Sequence, residues 1–228
     1  MIFKFDEISA LKNFKSYYKG TFDYDNYFST MDATEEEKEE IKTLAKKLEI
    51  VFLIMFALYI EDEDDDKIFS TAYQAYLEEI QQFLDTRQSS AYIEEHAKKI
   101  ILDVVETTNK NIEDAEDEDE KETKENDSYY LSYERAKLIA ANEATLLVNY
   151  REYIKAIKNG MTKKTWVTEK DKKVRKTHKK VNEETIDIFK PFEVGSSLMM
   201  FPKDTSLGAD VNETANCRCT VRYSKQNR

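Results

Sequence analysis

Four glycines and two prolines in 228 residues leave this chain few places to turn tightly. Sheet-rich folds need those residues at their many turns, so the chain is driven towards long helices. The exceptions cluster, because Gly160, Gly195, Gly208, Pro191 and Pro202 all fall in the C-terminal third. The expected fold class is therefore α+β, a mostly helical N-terminal body with a small C-terminal α+β module. Apolar residues make up 40% of the chain, which suffices for a core although 36% is charged.

Helix signals are strong in the first part. Thr34 and Glu37 have the spacing of a capping box, and a helix should run from there to about Tyr59. Its second half, Ile50 to Ile60, is continuously apolar. The run is about half the length that spans a bilayer. It suits the centre of a helical core or a subunit contact that docks on a partner, and no membrane partner is expected. Residues 66–87 read as a second helix, with Ile68, Ala72, Tyr73, Tyr76, Leu77, Ile80, Phe83 and Leu84 on one face. Residues 92–107 read as a third, with Ile93, Ala97, Ile100, Ile101, Val104 and Val105 inward.

From Asn111 the periodicity fails. Glu113 to Glu120 is acidic nearly throughout, can bury nothing and repels itself, so residues 111–128 read as a flexible acidic linker. The expected domains are a helical domain at 1–110, that linker, and a module at 129–228. The module opens on a helix over 130–159, whose packed stripe is Ala136, Ile139, Ala140, Glu143, Leu146, Leu147, Tyr150, Ile154 and Ile157. Gly160 stands where a C-terminal cap belongs. Glu143 is a carboxylate on an apolar stripe, and it needs a cationic partner from the C-terminal segment.

Beyond Gly160, residues 164–168, 186–189 and 219–223 read as short strands and 170–180 as a basic helix. On that helix Asp171, Val174, Arg175 and His178 would share a face. Residues 151–228 carry 18 Lys and Arg against 10 Asp and Glu, an excess of +8 that leaves −19 for the rest of a chain totalling −11. The basic end suits an acidic protein surface or nucleic acid. Lys172, Lys173, Lys176, Lys179 and Lys180 are the candidate DNA contacts, although solvated lysines on an exposed helix explain the same run.

Two chemistries fit the rare residues. Asp171, His178, Cys217 and Cys219 offer the donors of a tetrahedral zinc site. Alternatively the thiols pack as small apolar groups while the histidine and aspartate hydrogen-bond in a loop-rich core. This second reading is preferred, so no cofactor is assigned and zinc is the only candidate. A nucleophilic thiol is the enzymatic version, but the chain holds no Gly-rich phosphate loop, H-E-x-x-H or G-x-S-x-G. The N-terminus shows no basic and apolar secretory pattern, and a C-x-C pair suits reduced thiols.

The order of these features, Ile139-Ala140-Ala141-Asn142-Glu143, Trp166, Asp171, Arg175, His178, Pro202-x-Asp204, Gly208-Ala209 and Asn216-Cys217-Arg218-Cys219, resembles the phage Mu F-like family of head morphogenesis, or minor capsid, proteins. The resemblance covers roughly residues 130–222. Ala141 and Asn142 replace the usual Arg-Thr of the helix motif, and Asn182-Glu183 stand where a glycine commonly follows the histidine. The resemblance implies a non-enzymatic structural protein of a tailed phage, assembled in the host cytoplasm and placed in the capsid interior or at the portal vertex. It implies the portal protein as partner, with packaged DNA, other capsid proteins and self-association as further contacts, in head assembly or in genome packaging and delivery. Glu143, Trp166, Asp171, Arg175, His178, Pro202, Asp204, Asn216, Cys217, Arg218 and Cys219 would form the core of the module. Some relatives carry toxin domains after it, and none is expected here. The alternative is a zinc- or thiol-dependent enzyme of toxin or nuclease type built on Asp171, His178, Cys217 and Cys219.

Overall fold

The computed structural model describes residues 9–12, 14, 20–85, 90–116, 129–169 and 171–225, with the side chains of 114–116 left aside. Its elements in chain order are α1 (Tyr24–Phe28), α2 (Glu35–Ile60), α3 (Asp65–Phe83), α4 (Ala91–Glu116), α5 (Tyr133–Lys158), β1 (Lys163–Val167), α6 (Lys176–Val181), β2 (Thr185–Asp187), β3 (Phe192–Val194), β4 (Ser197–Met199), α7 (Val211–Thr214) and β5 (Thr220–Ser224). The fold is α+β, with helices where glycine and proline are scarce and strands, among the described residues, only in the C-terminal third, where they cluster. Helix α4 continues to Glu116, so residues 111–116, expected in the acidic linker, are its last turns. The remainder of that segment, 117–128, lies outside the described residues.

The chain forms two compact units, one of residues 1–22 and 44–140, the other of 23–43 and 141–228. These limits differ from the expected domain limits, since residues 23–43 group with the C-terminal segment and residues 129–140 with the helical body.

In the first unit, the apolar half of α2 is core. Val51 to Leu58 are all buried, while Ile50 and Ile60 at the ends are exposed by 38% and 53%. The middle of the run is therefore covered within the chain, and only Ile50 and Ile60 of it are left exposed as apolar surface. Phe52 meets Tyr76 of α3, and Tyr59 Oη donates to the Val105 carbonyl of α4 at 3.3 Å. Buried Glu79 takes Lys47 as its ion partner at 3.2 Å. Arg135 is also buried, and burial lowers its pKa to about 10. Its guanidinium donates to Thr108 Oγ1 at 2.7 Å and to the Tyr130 carbonyl at 2.8 Å, with the Phe56 and Tyr130 rings against it.

The second unit is held by local rules that the sequence carries. Thr34 and Glu37 close the capping box, Glu37 N–H donating to Thr34 Oγ1 at 3.2 Å and Thr34 N–H to Glu37 Oε2 at 2.7 Å. Gly160 ends α5 at φ +67°, with Met161 N–H on the Ala156 carbonyl and its own N–H on that of Ile157, which is a Schellman closure. Strand β1 is the centre of an antiparallel sheet ordered β2-β1-β5, with Trp166 opposite Val221 and Thr165 opposite Thr185. A separate hairpin pairs β3 with β4, Phe192 facing Met199.

Helix α5 is buried on more than the expected stripe. Ala136, Ala140, Glu143, Leu146 and Leu147 are buried, Ile139, Tyr150, Ile154 and Ile157 only half so, and Ala141, Ala144, Thr145, Asn149, Tyr153 and Ala156 are buried as well. The C-terminal core gathers Trp166, Val181, Phe192, Val194, Met199, Cys217 and Cys219, with Ile186, Ala209 and Val221 at its edge.

Candidate functional site

Helix α6 begins only at Lys176, six residues later than the sequence suggests. Residues 171–175 form a turn in which Asp171 Oδ1 accepts the N–H of Lys173 at 2.8 Å. Asp171, Arg175 and His178, expected on one helical face, are thus spread over a turn and a helix. The three side chains go to different places. Arg175 reaches the Ala215 carbonyl at 2.5 Å. Asp171 accepts from Arg218 Nη2 at 2.7 Å. His178 alone points into the core, 1% exposed.

The imidazole meets both cysteines there. His178 Nδ1 lies 3.4 Å from Cys219 Sγ and 3.6 Å from Cys217 Sγ. Its other nitrogen, Nε2, lies 3.0 Å from Glu213 Oε2. Glu213 comes from the one-turn helix α7, which Asp210 starts by accepting the N–H of Asn212. The indole of Trp166 stands edge-on to the imidazole, with centroids 5.6 Å apart. Thr177 Oγ1 donates to Glu213 Oε2 at 2.8 Å. Over the same carboxylate sits Gly195, where an added Cβ would fall 2.5 Å from Glu213 Oε1 and the φ is +63°. Glycine at this place lets the turn of the β3–β4 hairpin close down on Glu213 without strain and without displacing its carboxylate.

The two thiols are unlike. A hydrogen bond from Cys219 holds Cys217 well below the usual thiol range, against its burial and with help from His178 and Lys203. The Cys217 sulfur and burial together push Cys219 up. Burial pulls His178 down, but the Cys217 hydrogen bond and charge outweigh it and raise the imidazole. Burial lowers Lys203 to about 8. Burial raises Glu169, itself 5% exposed, to about 7. Both thiols are buried, at 2% and 3% exposure, so the cluster lies inside the core and not on a reachable surface.

Around this centre stand the other residues the sequence singles out. Glu143 is buried and carries its negative charge close to buried Lys203 of the C-terminal segment, the kind of partner its place on the stripe demanded. Lys203 Nζ also donates to Asn142 Oδ1 and to the Thr214 carbonyl. Asp204 is fully buried and folds its own loop, accepting the N–H groups of Met200 and Ser206 at 3.0 Å each. Asn149 Nδ2 ties the Pro202 and Cys219 carbonyls to α5, at 3.5 and 3.3 Å. Arg218 bridges Asp171 and Thr30. Lys172, Lys173, Lys176, Lys179 and Lys180 are all exposed, the first two on the turn and the rest on α6.

Sequence reasoning missed Glu213; of its two readings of Asp171 the preferred one, a loop aspartate that accepts a backbone N–H, holds, and the metal-ligand one does not. Asp171 is not beside the thiols. Among the described residues, His178, Cys217 and Cys219 are the group whose donor atoms converge, all within 4.8 Å. The only signal for Glu213 was the Asp210-x-Asn212 turn that starts its helix.

Fold and site define a helical protein with a compact α+β module organised around a buried His-Cys-Cys cluster. The chain belongs to the Phage Mu protein F like family, whose match covers residues 71–222. No curated protein and no solved structure matches it. The family is one of structural phage head proteins, which gives this chain a structural role in head morphogenesis and an association with the virion. No helix among the described residues is long and apolar enough to cross a membrane.

Proposed function

We propose that the protein is a minor component of the tailed-phage head that associates with the portal protein and assists head assembly or genome packaging and delivery. Family membership over residues 71–222 carries this reading. The buried cluster supports its non-enzymatic part. A nucleophilic thiol must meet its substrate, and here both thiols and the imidazole are at most 3% exposed. Portal contact falls to surfaces other than Ile50 to Ile60, since the middle of that run is core. The five exposed lysines at 172–180 are the surface offered to packaged DNA, with other capsid proteins or a second copy of the chain as further contacts.

Quantitative mass spectrometry of purified virions tests the reading. The protein should be present at a few copies per particle and absent from particles assembled without portal. Copy numbers rivalling the major shell protein, or incorporation independent of portal, would contradict it.

A further inference from the structure

The geometry around His178 is that of a ligand set. A tetrahedral zinc ion with bonds of about 2.3 Å to sulfur and about 2.0 Å to nitrogen sets its nitrogen and sulfur donors roughly 3.5 Å apart. His178 Nδ1 stands 3.4 and 3.6 Å from the two sulfurs. The far side of the imidazole faces Glu213 at 3.0 Å, the outer carboxylate that orients a metal-bound histidine. That carboxylate is fixed in turn by Thr177 and by the close approach of Gly195. Two thiolates with a neutral imidazole would cancel the charge of a dication, so an ion could enter this core without carrying net charge into it.

We propose that His178 Nδ1, Cys217 Sγ and Cys219 Sγ bind one zinc ion, with Glu213 as the positioning carboxylate behind the imidazole. The ion fastens α6 to the segment leading into β5. That link matters because the module beyond α5 is built from strands of only three to five residues and helices of four and six. The fourth position is filled by water or a small exogenous donor. Asp171, tied to Arg218, is not a ligand. This inference is independent of where in the virion the protein sits.

The test uses the full chain, purified without chelators. Elemental mass spectrometry should find one zinc per chain. Cobalt exchanged into the site should give the sulfur-to-cobalt charge-transfer band and the intense visible bands of a tetrahedral thiolate complex. Glu213→Gln should weaken metal affinity about 10- to 100-fold. Asp171→Asn should leave zinc content unchanged. Cys217→Ser and Cys219→Ser should lose the ion, but either could fail to fold, so the decisive experiment leaves the sequence unaltered. If chain stripped by a chelator keeps the near-ultraviolet dichroism of Trp166 yet takes up cobalt without a thiolate band, the proposal is wrong. Loss of zinc in Asp171→Asn would overturn the assigned ligand set.

Discussion

Asn142 on the long helix holds Asn216 in a left-handed turn. Its Oδ1 accepts the Asn216 N–H at 2.7 Å and its Nδ2 donates to Asn216 Oδ1 at 3.1 Å. Asn216 sits at φ +55°, immediately before the first cysteine. The same Oδ1 takes the ammonium of Lys203. One amide thus sets the entry to the Cys-Arg-Cys segment and receives a buried cation.

Asn142→Ala should therefore destabilise the protein by about 1–3 kcal/mol, since it leaves a backbone N–H and a buried ammonium short of an acceptor. At position 216, glycine should be nearly neutral, whereas valine should cost about 1–2 kcal/mol because a branched side chain resists the left-handed region. Urea denaturation of the three variants checks both statements. Equal stability of the glycine and valine variants would remove the backbone argument.

Much of the helical architecture was legible because apolar residues recur at three and four spacing and because Thr34, Glu37 and Gly160 obey simple end rules. The rest was hidden for identifiable reasons. The β3–β4 hairpin has strands of three residues, too short for alternation to register. Helix α1 depends on Asp23 accepting the N–H of Asn26, a signal as weak as any single aspartate. The site was half legible. Rare residues drew attention to His178, Cys217 and Cys219, and the structure brings them together. Helical spacing misled at Asp171 because its carboxylate caps the next turn instead of continuing a helix. The charge of Lys164 gives no hint of its place, for it shares the inner face of β1 with Trp166 and is fully buried.

Lys164 gives the second prediction. Burial lowers its pKa from 10.5 to about 8, while its ammonium donates to the Met200 carbonyl and lies near the Tyr153 and Phe192 rings. Between those two pH values the unfolded chain holds a proton that the folded protein has released. Raising the pH through this window must then stabilise the fold, by at most about 3 kcal/mol for this group. Lys164→Met removes the titration. The stability difference between the parent and Lys164→Met should shift in favour of the parent from pH 8 to 10. A difference that stays flat would show that Lys164 keeps an ordinary pKa.

The basic turn and helix give the third. Five exposed lysines that reach phosphates would make DNA affinity fall with salt, with a log–log slope of up to about −4 to −5 on duplex DNA. Changing Lys172, Lys173, Lys176, Lys179 and Lys180 to glutamate should abolish binding and leave thermal stability nearly unchanged, because none of the five is buried. Weak, salt-independent binding in the parent chain would remove DNA from the list of partners.

Portal association is the central claim, and co-expression of the full chain with the portal protein of its phage tests it most directly. Size-exclusion chromatography with mass determination should then give a stable complex of defined stoichiometry. A folded chain that elutes apart from assembled portal under the same conditions would contradict the account.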